Sequence, residues 1–133
     1  MTMHQLIYAS RPFGFDEAAL NGILVEARRF NAEHDITGAL ICRHDLYLQL
    51  LEGPQDIVET LYRRIAVDAR HLEVELLVAQ PVGKRLFPKW AMLDDPAHSS
   101  LWTPEQVRDG AIRQAGKEEI VGVFERLAAD SAH

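Results

Sequence analysis

Apolar residues recur along this chain in two rhythms, and each change of rhythm marks an element. His4 to Ser10 is built of β-compatible residues and reads as a first strand, stopped by proline and glycine in Arg11-Pro12-Phe13-Gly14. From Asp16, a candidate N-cap, Leu20, Ile23, Leu24, Ala27 and Phe30 fall at helical spacing, with Glu26, Arg28 and Arg29 on the solvent side. Ile36 to Arg43 and Leu46 to Gly53 are apolar runs parted by His44-Asp45, the spacing of a hairpin of second and third strands. Pro54 opens a second helix whose stripe is Ile57, Val58, Leu61, Tyr62 and Ile65. Leu72 to Val82 and Trp90 to Leu93, on either side of a Gly83-Lys84-Arg85 turn, read as fourth and fifth strands.

The order βαββαββ predicts an α+β, ferredoxin-like fold: a five-stranded mixed sheet with strands one and three side by side in the middle and both helices on one face. From Pro96 the chain is more polar. Thr103-Pro104-Glu105-Gln106 has the capping threonine and first-turn proline of a helix start, and a last helix from about Lys117 gathers Ile120, Val121, Phe124, Leu127 and Ala128 on one side. That stripe has to be buried, and the bare sheet face is the nearest surface; a partner chain is the rival. With no internal repeat and no linker, the expected division is a core over residues 1–95 and a helical extension over 96–133.

Composition narrows the function. The 133 residues, 47% hydrophobic and 26% charged, suit one soluble domain with a tail. A net charge of -6 repels a phosphate backbone, so nucleic acid is not an expected partner. The single cysteine, Cys42, lies in an apolar run and is expected to be a buried, inert thiol in a reducing compartment. The N-terminus has no basic start, long apolar stretch or small-residue cleavage site, so the expectation is a cytoplasmic protein without a membrane partner.

The chemistry lies in polar residues at apolar positions. Gln49 interrupts Leu46-Tyr47-Leu48-Gln49-Leu50-Leu51, and a buried amide without partners costs roughly 1–3 kcal/mol. Strand alternation puts Gln49 on the face of Tyr47 and Leu51, and Tyr8 on the face of Leu6 and Ser10; if both look toward the helices, Tyr8 and Gln49 can touch. Asn31, eight residues after Ile23, lies at the end of the first helix's stripe, while Arg64 and Asp68 share an edge of the second and can pair. Singly, each has an ordinary explanation: a capped core tyrosine, a helix-ending asparagine, a solvated ion pair. Together, amide and guanidinium groups between apolar walls such as Ile23 and Ile65 suit a planar heterocycle with alternating donors and acceptors, of which a flavin is one.

These residues resemble the BLUF family of blue-light sensors using FAD, over about Met3 to Leu93. The resemblance is carried by Leu6-Ile7-Tyr8-Ala9-Ser10, Asn31 with Ile36-Thr37-Gly38, Leu48-Gln49-Leu50-Leu51-Glu52-Gly53, Asp68-Ala69-Arg70-His71 and Trp90-Ala91-Met92, in family order and spacing. It implies a non-covalent flavin, usually FAD, with FMN or riboflavin as alternatives, between the two helices. Ser10, Ile23, Asn31, Gln49, Arg64, Ile65, Asp68, Arg70 and His71 are the residues expected around it. Among these, Asn31 and Arg64 would bind the carbonyl and imide edge, with Asp68 orienting Arg64 and His71 near the ring. Tyr8 would give an electron and a proton, relayed by Gln49. Gln49 would then rotate or tautomerise, strengthening its bond to the flavin carbonyl and moving absorption slightly to the red. Trp90 and Met92 of the fifth strand are the signalling candidates, although two core residues at period two would look the same. The chain departs from the family at Phe30, where some members carry a polar residue and where contacts to the far edge are expected to differ. It departs again at Tyr47, where many carry Phe.

Other functions fit less well. Acyl-phosphate hydrolases share the core fold and Arg11 invites the comparison, but the first loop lacks a Gly-rich anion cradle. RNA-binding domains place aromatics where Tyr8 and Tyr47 stand, yet the acidic charge opposes them. A light-independent ligand-binding or oligomerisation module remains the main alternative. Residues 96–133 are too few for a cyclase or phosphodiesterase, so the expectation is no enzyme activity. The output would be non-covalent, to another copy in a homo-oligomer or to a separate effector in trans.

Overall fold

The computed structural model of the protein describes residues 3–12, 17–43, 45–68, 71–96 and 102–131. Along the chain these form β1 (Met3–Pro12), α1 (Glu17–His34), β2 (Thr37–Arg43), β3 (Leu46–Pro54), α2 (Gln55–Ala66), β4 (His71–Val82), β5 (Leu93–Pro96), α3 (Pro104–Arg108), α4 (Ala111–Gln114) and α5 (Lys117–Ser131). The result is an α+β fold. Strands β4, β1, β3 and β2 pair antiparallel in that order, and the short β5 adds to β2 in parallel.

The alternation of side chains along β1 and β3 divides the interior in two. Leu6, Tyr8, Tyr47 and Leu51 point to one face, where Ile23 and Leu24 of α1 and Val58 of α2 cover them. Ile7, Leu48, Leu50 and Val78 point to the other, beneath Ile112 of α4 and Ile120, Val123 and Phe124 of α5. The stripe of the last helix is thus buried on the second sheet face of its own chain. Phe124 is fully buried, a burial worth roughly 1.5–3 kcal/mol, so α5 is held to the sheet by its packing. The α3 start has the expected capping box: the Thr103 hydroxyl accepts from the Gln106 N–H at 3.1 Å, and the Gln106 side chain accepts from the Thr103 N–H at 2.8 Å.

The first and fifth strands depart furthest from the sequence reading. The first strand does not stop at Arg11: Arg11 pairs with Leu72 and Pro12 with His71, after register shifts at Ile7/Tyr8 and Ala9/Arg11. Pairing with β3 has already ended at Ser10, so Pro12 sits where only one neighbouring strand remains and its missing N–H is tolerated. The fifth strand begins at Leu93, leaving Trp90 and Met92 in the bend before it. The carbonyls of Trp90, Ala91 and Met92 accept from the Gly38 N–H and the side chains of Asn31 and Arg28, so ladder pairing starts only at Leu93 against Ala39. The proposed N-cap Asp16, and His44 in the hairpin turn, lie outside the described residues.

Gly38 explains how the bend comes so close. A Cβ at this position would overlap the Leu50 carbonyl oxygen, so only glycine lets β2 lie against β3 here while donating to Trp90 across 3.1 Å. At the end of α1, Asp35 takes a left-handed conformation (φ 60°), and the Ile36 N–H closes onto the Asn31 carbonyl at 3.0 Å. Asn31 is therefore inside the last turn, with its side chain free to face the interior.

Candidate functional site

The two central strands place Tyr8 directly opposite Gln49. Both side chains are buried on the helix-covered face, and the Tyr8 hydroxyl donates to Gln49 Oε1. Burial raises the Tyr8 phenol pKa far above its ordinary value, with Tyr47, Tyr62 and Asp68 pushing the same way, so this phenol is neutral. On its other side the Gln49 amide is also engaged: Nε2 donates to the Met92 sulfur at 3.3 Å. Met92 is buried whereas Trp90 is 39% exposed, so Met92 is the neighbour of Gln49.

Tyr8 and Gln49 form part of the wall of a cavity of about 160 Å3 between α1 and α2. Ile23 and Ile65 line it as the expected apolar residues, and Asn31, Arg64, Asp68 and His71 contribute polar groups. Asn31 is completely buried; its Nδ2 donates to the Ala91 carbonyl at 2.7 Å, while its Oδ1 has no hydrogen-bond partner among the described residues. A buried acceptor left so costs roughly 1–3 kcal/mol, which a donor entering the cavity would recover. Arg64 stands at the mouth, its guanidinium carbon 5.2 Å from the centre of the Phe30 ring.

Ser10 does not line this cavity. It is buried and hydrogen-bonded to His71 Nδ1 at 2.8 Å, so it orients the imidazole that does. The same imidazole lies between two phenols, 6.0 Å from Tyr8 and 5.2 Å from Tyr47 by ring centres. Arg70 lies outside the described residues. Sequence reasoning missed Glu26, Ala27, Phe30 and Leu61 as lining residues. Glu26 is exposed, as expected of the solvent side, and it also lines the cavity, since it follows Ile23 by three and precedes Phe30 by four, the spacing of one helix face. Phe30, the departure from the family pattern, stacks on His34 with ring centres 4.0 Å apart and offers its own face to Arg64.

The donor set fits a flavin ring. An isoalloxazine carries an imide N–H between two carbonyls, which answers the orphaned carboxamide oxygen of Asn31 in a cavity also lined by the Gln49 amide and the Arg64 guanidinium, and its apolar faces suit a lining that includes Ile23, Leu61 and Ile65.

Comparison with known proteins agrees. The family described as sensors of blue light using FAD matches residues 3–93. The chain is 37% identical over 108 residues to the photoactivated adenylate cyclase subunit beta of Euglena gracilis, covering 81% of this chain and 12% of that one. It is 38% identical over 66 residues to the blue light- and temperature-regulated antirepressor BluF of Escherichia coli, covering 50% and 16%. It therefore spans only a small part of these relatives. Among solved structures, the dark-state BLUF protein BlrB superposes with a TM-score of 0.78 at 26% identity, covering 97% of each chain. The photo-activated state of BlsA gives 0.78 at 26%, covering 95% and 94%. The chain belongs to the BLUF family, the flavin-binding sensors of blue light.

Proposed function

We propose that this chain stores a blue-light signal in the hydrogen bonds of Gln49, with Tyr8 as the donor, and passes it through Met92 to the C-terminal helices. Asn31, Gln49 and Arg64 would hold the polar edge of the flavin, Ile23 and Ile65 its faces. Asp68 would orient Arg64, and His71, steadied by Ser10, would stand beside the ring. When bound, the flavin absorbs blue light and, once excited, accepts an electron and a proton.

The observation that carries this reading is the Tyr8 hydroxyl aimed at Gln49 Oε1 in the cavity wall. A neutral phenol can give up an electron and a proton together, and its proton leaves along the bond to Gln49. The amide is polarised between two partners, Oε1 toward Tyr8 and Nε2 toward the Met92 sulfur. A flip would exchange these ends and turn the oxygen to a thioether, which has no proton to give. The flipped or tautomeric amide is thus a distinct state, with a donor turned where an acceptor had been.

That state has to bias a second element to be read elsewhere. Met92 is the first candidate, because it touches Gln49 and leads into β5. In this reading residues 1–95 are the sensor and 96–133 the output extension, working without an enzymatic step of their own. The effector would be another copy in a homo-oligomer or a separate protein. Relatives that carry a cyclase or an antirepressor function support such control of a partner activity. Among the described residues no helix is long and apolar enough to cross a membrane, and Cys42 is buried, in keeping with the proposed cytoplasmic site of action. The test is a visible spectrum of the purified protein before and after blue light. A yellow protein whose flavin bands move slightly to the red and return in darkness supports the reading. A colourless protein that does not take up added flavin removes it.

A further inference from the structure

Glu52 is an unusual residue for the photochemistry to leave unused. It lies three residues after Gln49 in β3, so it points to the opposite sheet face, and it is completely buried. A buried carboxylate is costly unless its oxygens are engaged, and here both are. Oε1 accepts from the Leu86 N–H at 2.8 Å; Oε2 accepts from the Phe87 N–H at 2.7 Å and from the Thr37 hydroxyl at 2.9 Å. Arg85 closes the cluster. Its Nη1 donates to Thr37 Oγ1 at 2.7 Å and to the Glu52 carbonyl at 3.1 Å, and its Nη2 donates to the Asp35 carbonyl at 2.8 Å.

The backbone held by this carboxylate begins the segment that ends beside Gln49. Phe87 packs edge to face on Phe124 of α5, ring centres 6.4 Å apart, in the core on one side of the sheet. Met92 lies in the core on the other side, against the Gln49 amide. Between them the Trp90 N–H turns back onto the Phe87 carbonyl at 3.1 Å. A short segment fixed at both ends passes a displacement on, whereas one loose at either end absorbs it.

We infer that Glu52 is a positioning residue for signalling: by clamping Leu86 and Phe87 it makes residues 86–92 a stiff link between the Gln49 site and α5. This rests on the proposed light-driven rearrangement of Gln49. Glu52→Gln keeps the shape but offers a donor where backbone N–H and hydroxyl donors already point, so at least one clamp bond is lost.

The test compares hydrogen exchange of the α5 amides in darkness and under blue light, using the full chain with flavin bound. In the parent, light changes this exchange. In Glu52→Gln the flavin and its red shift remain, while the light-dependent difference in α5 falls about tenfold, the effect expected from losing a hydrogen bond to a charged group. Faster exchange in darkness and light alike, with the difference intact, would mean a structural role only and overturn the inference. So would a parent whose flavin shifts to the red while α5 does not respond. A parent without any red shift instead defeats the underlying photochemical reading. Should Glu52→Gln not fold, Thr37→Val loosens the carboxylate by removing the hydroxyl that donates to Glu52 Oε2 and accepts from Arg85, and it is scored identically, with a fall of about threefold expected.

Discussion

The Gln49 amide donates to the Met92 sulfur across 3.3 Å, while the Met92 carbonyl accepts from Arg28 Nε at 3.1 Å. One residue is thus held through its side chain by Gln49 of β3 and through its backbone by α1. The next carbonyl back, that of Ala91, is held by Asn31 of the same helix. The bend before β5 is therefore fastened to Gln49 and Asn31, which line the cavity, and to Arg28 of α1.

Replacing Met92 by leucine tests the side-chain half of this arrangement. The volume is nearly conserved, so the cost in stability is expected to stay below about 1.5 kcal/mol. Leucine cannot accept from Gln49 Nε2, and the bias toward the dark orientation of the amide weakens. The lit state should persist about threefold longer, corresponding to one weak hydrogen bond. Recovery followed by flavin absorbance after a light pulse checks this; an unchanged rate with flavin bound would show that the sulfur does not hold the amide.

Tyr8→Phe removes the proposed donor and keeps the ring. The variant should bind flavin and show no red-shifted product on illumination. It also leaves Gln49 Oε1 without the Tyr8 proton, so a loss of roughly 1–3 kcal/mol in unfolding free energy is expected. A full light response in this variant would exclude Tyr8 as the donor.

Asn31→Ala removes the orphaned acceptor and the anchor on Ala91 together. Flavin affinity should fall about tenfold, the weight of one hydrogen bond to a ligand. Titration of the flavin-free protein with FAD measures it, and parental affinity would show that Asn31 Oδ1 does not meet the cofactor.

The heart of the site was legible because it depends on period-two alternation. Tyr8 and Gln49 had to share a face with Leu6 and Leu51, and antiparallel pairing of β1 with β3 then brought them together. Ile23, Asn31, Arg64 and Ile65 followed from helical spacing in the same way. The exit from the site was not legible. Trp90-Ala91-Met92 has the composition of a strand, but its carbonyls are taken by Gly38, Asn31 and Arg28, partners about 50 to 60 residues earlier that no local pattern reveals. Asp94-Asp95-Pro96 looks unlike a strand and yet pairs with β2. Ser10 was expected around the cofactor from the family resemblance; its bond to His71 depends on the path of β4, which local sequence does not fix.

The buried phenol also predicts how stability responds to alkali. Tyr8 has its folded-state pKa raised, chiefly by burial and further by Tyr47, Tyr62 and Asp68, above the ordinary phenol value of 10.0. Below that value the phenol is protonated in both folded and unfolded chains, so this contribution to stability is fully present and independent of pH. Above it the unfolded chain gives up a proton that the folded chain keeps, and stability is lost as pH rises toward the folded value, by at most about 1.4 kcal/mol per pH unit. Tyr62 has a raised pKa as well, but it is present in parent and variant alike and cancels in their difference. Urea unfolding of the flavin-free parent and of Tyr8→Phe at about pH 9 and about pH 11 isolates the Tyr8 share. The parent should lose more stability across that interval than the variant. Equal losses would mean that the Tyr8 hydroxyl ionises as readily in the folded protein as in the unfolded chain, so that burial does not hold its proton.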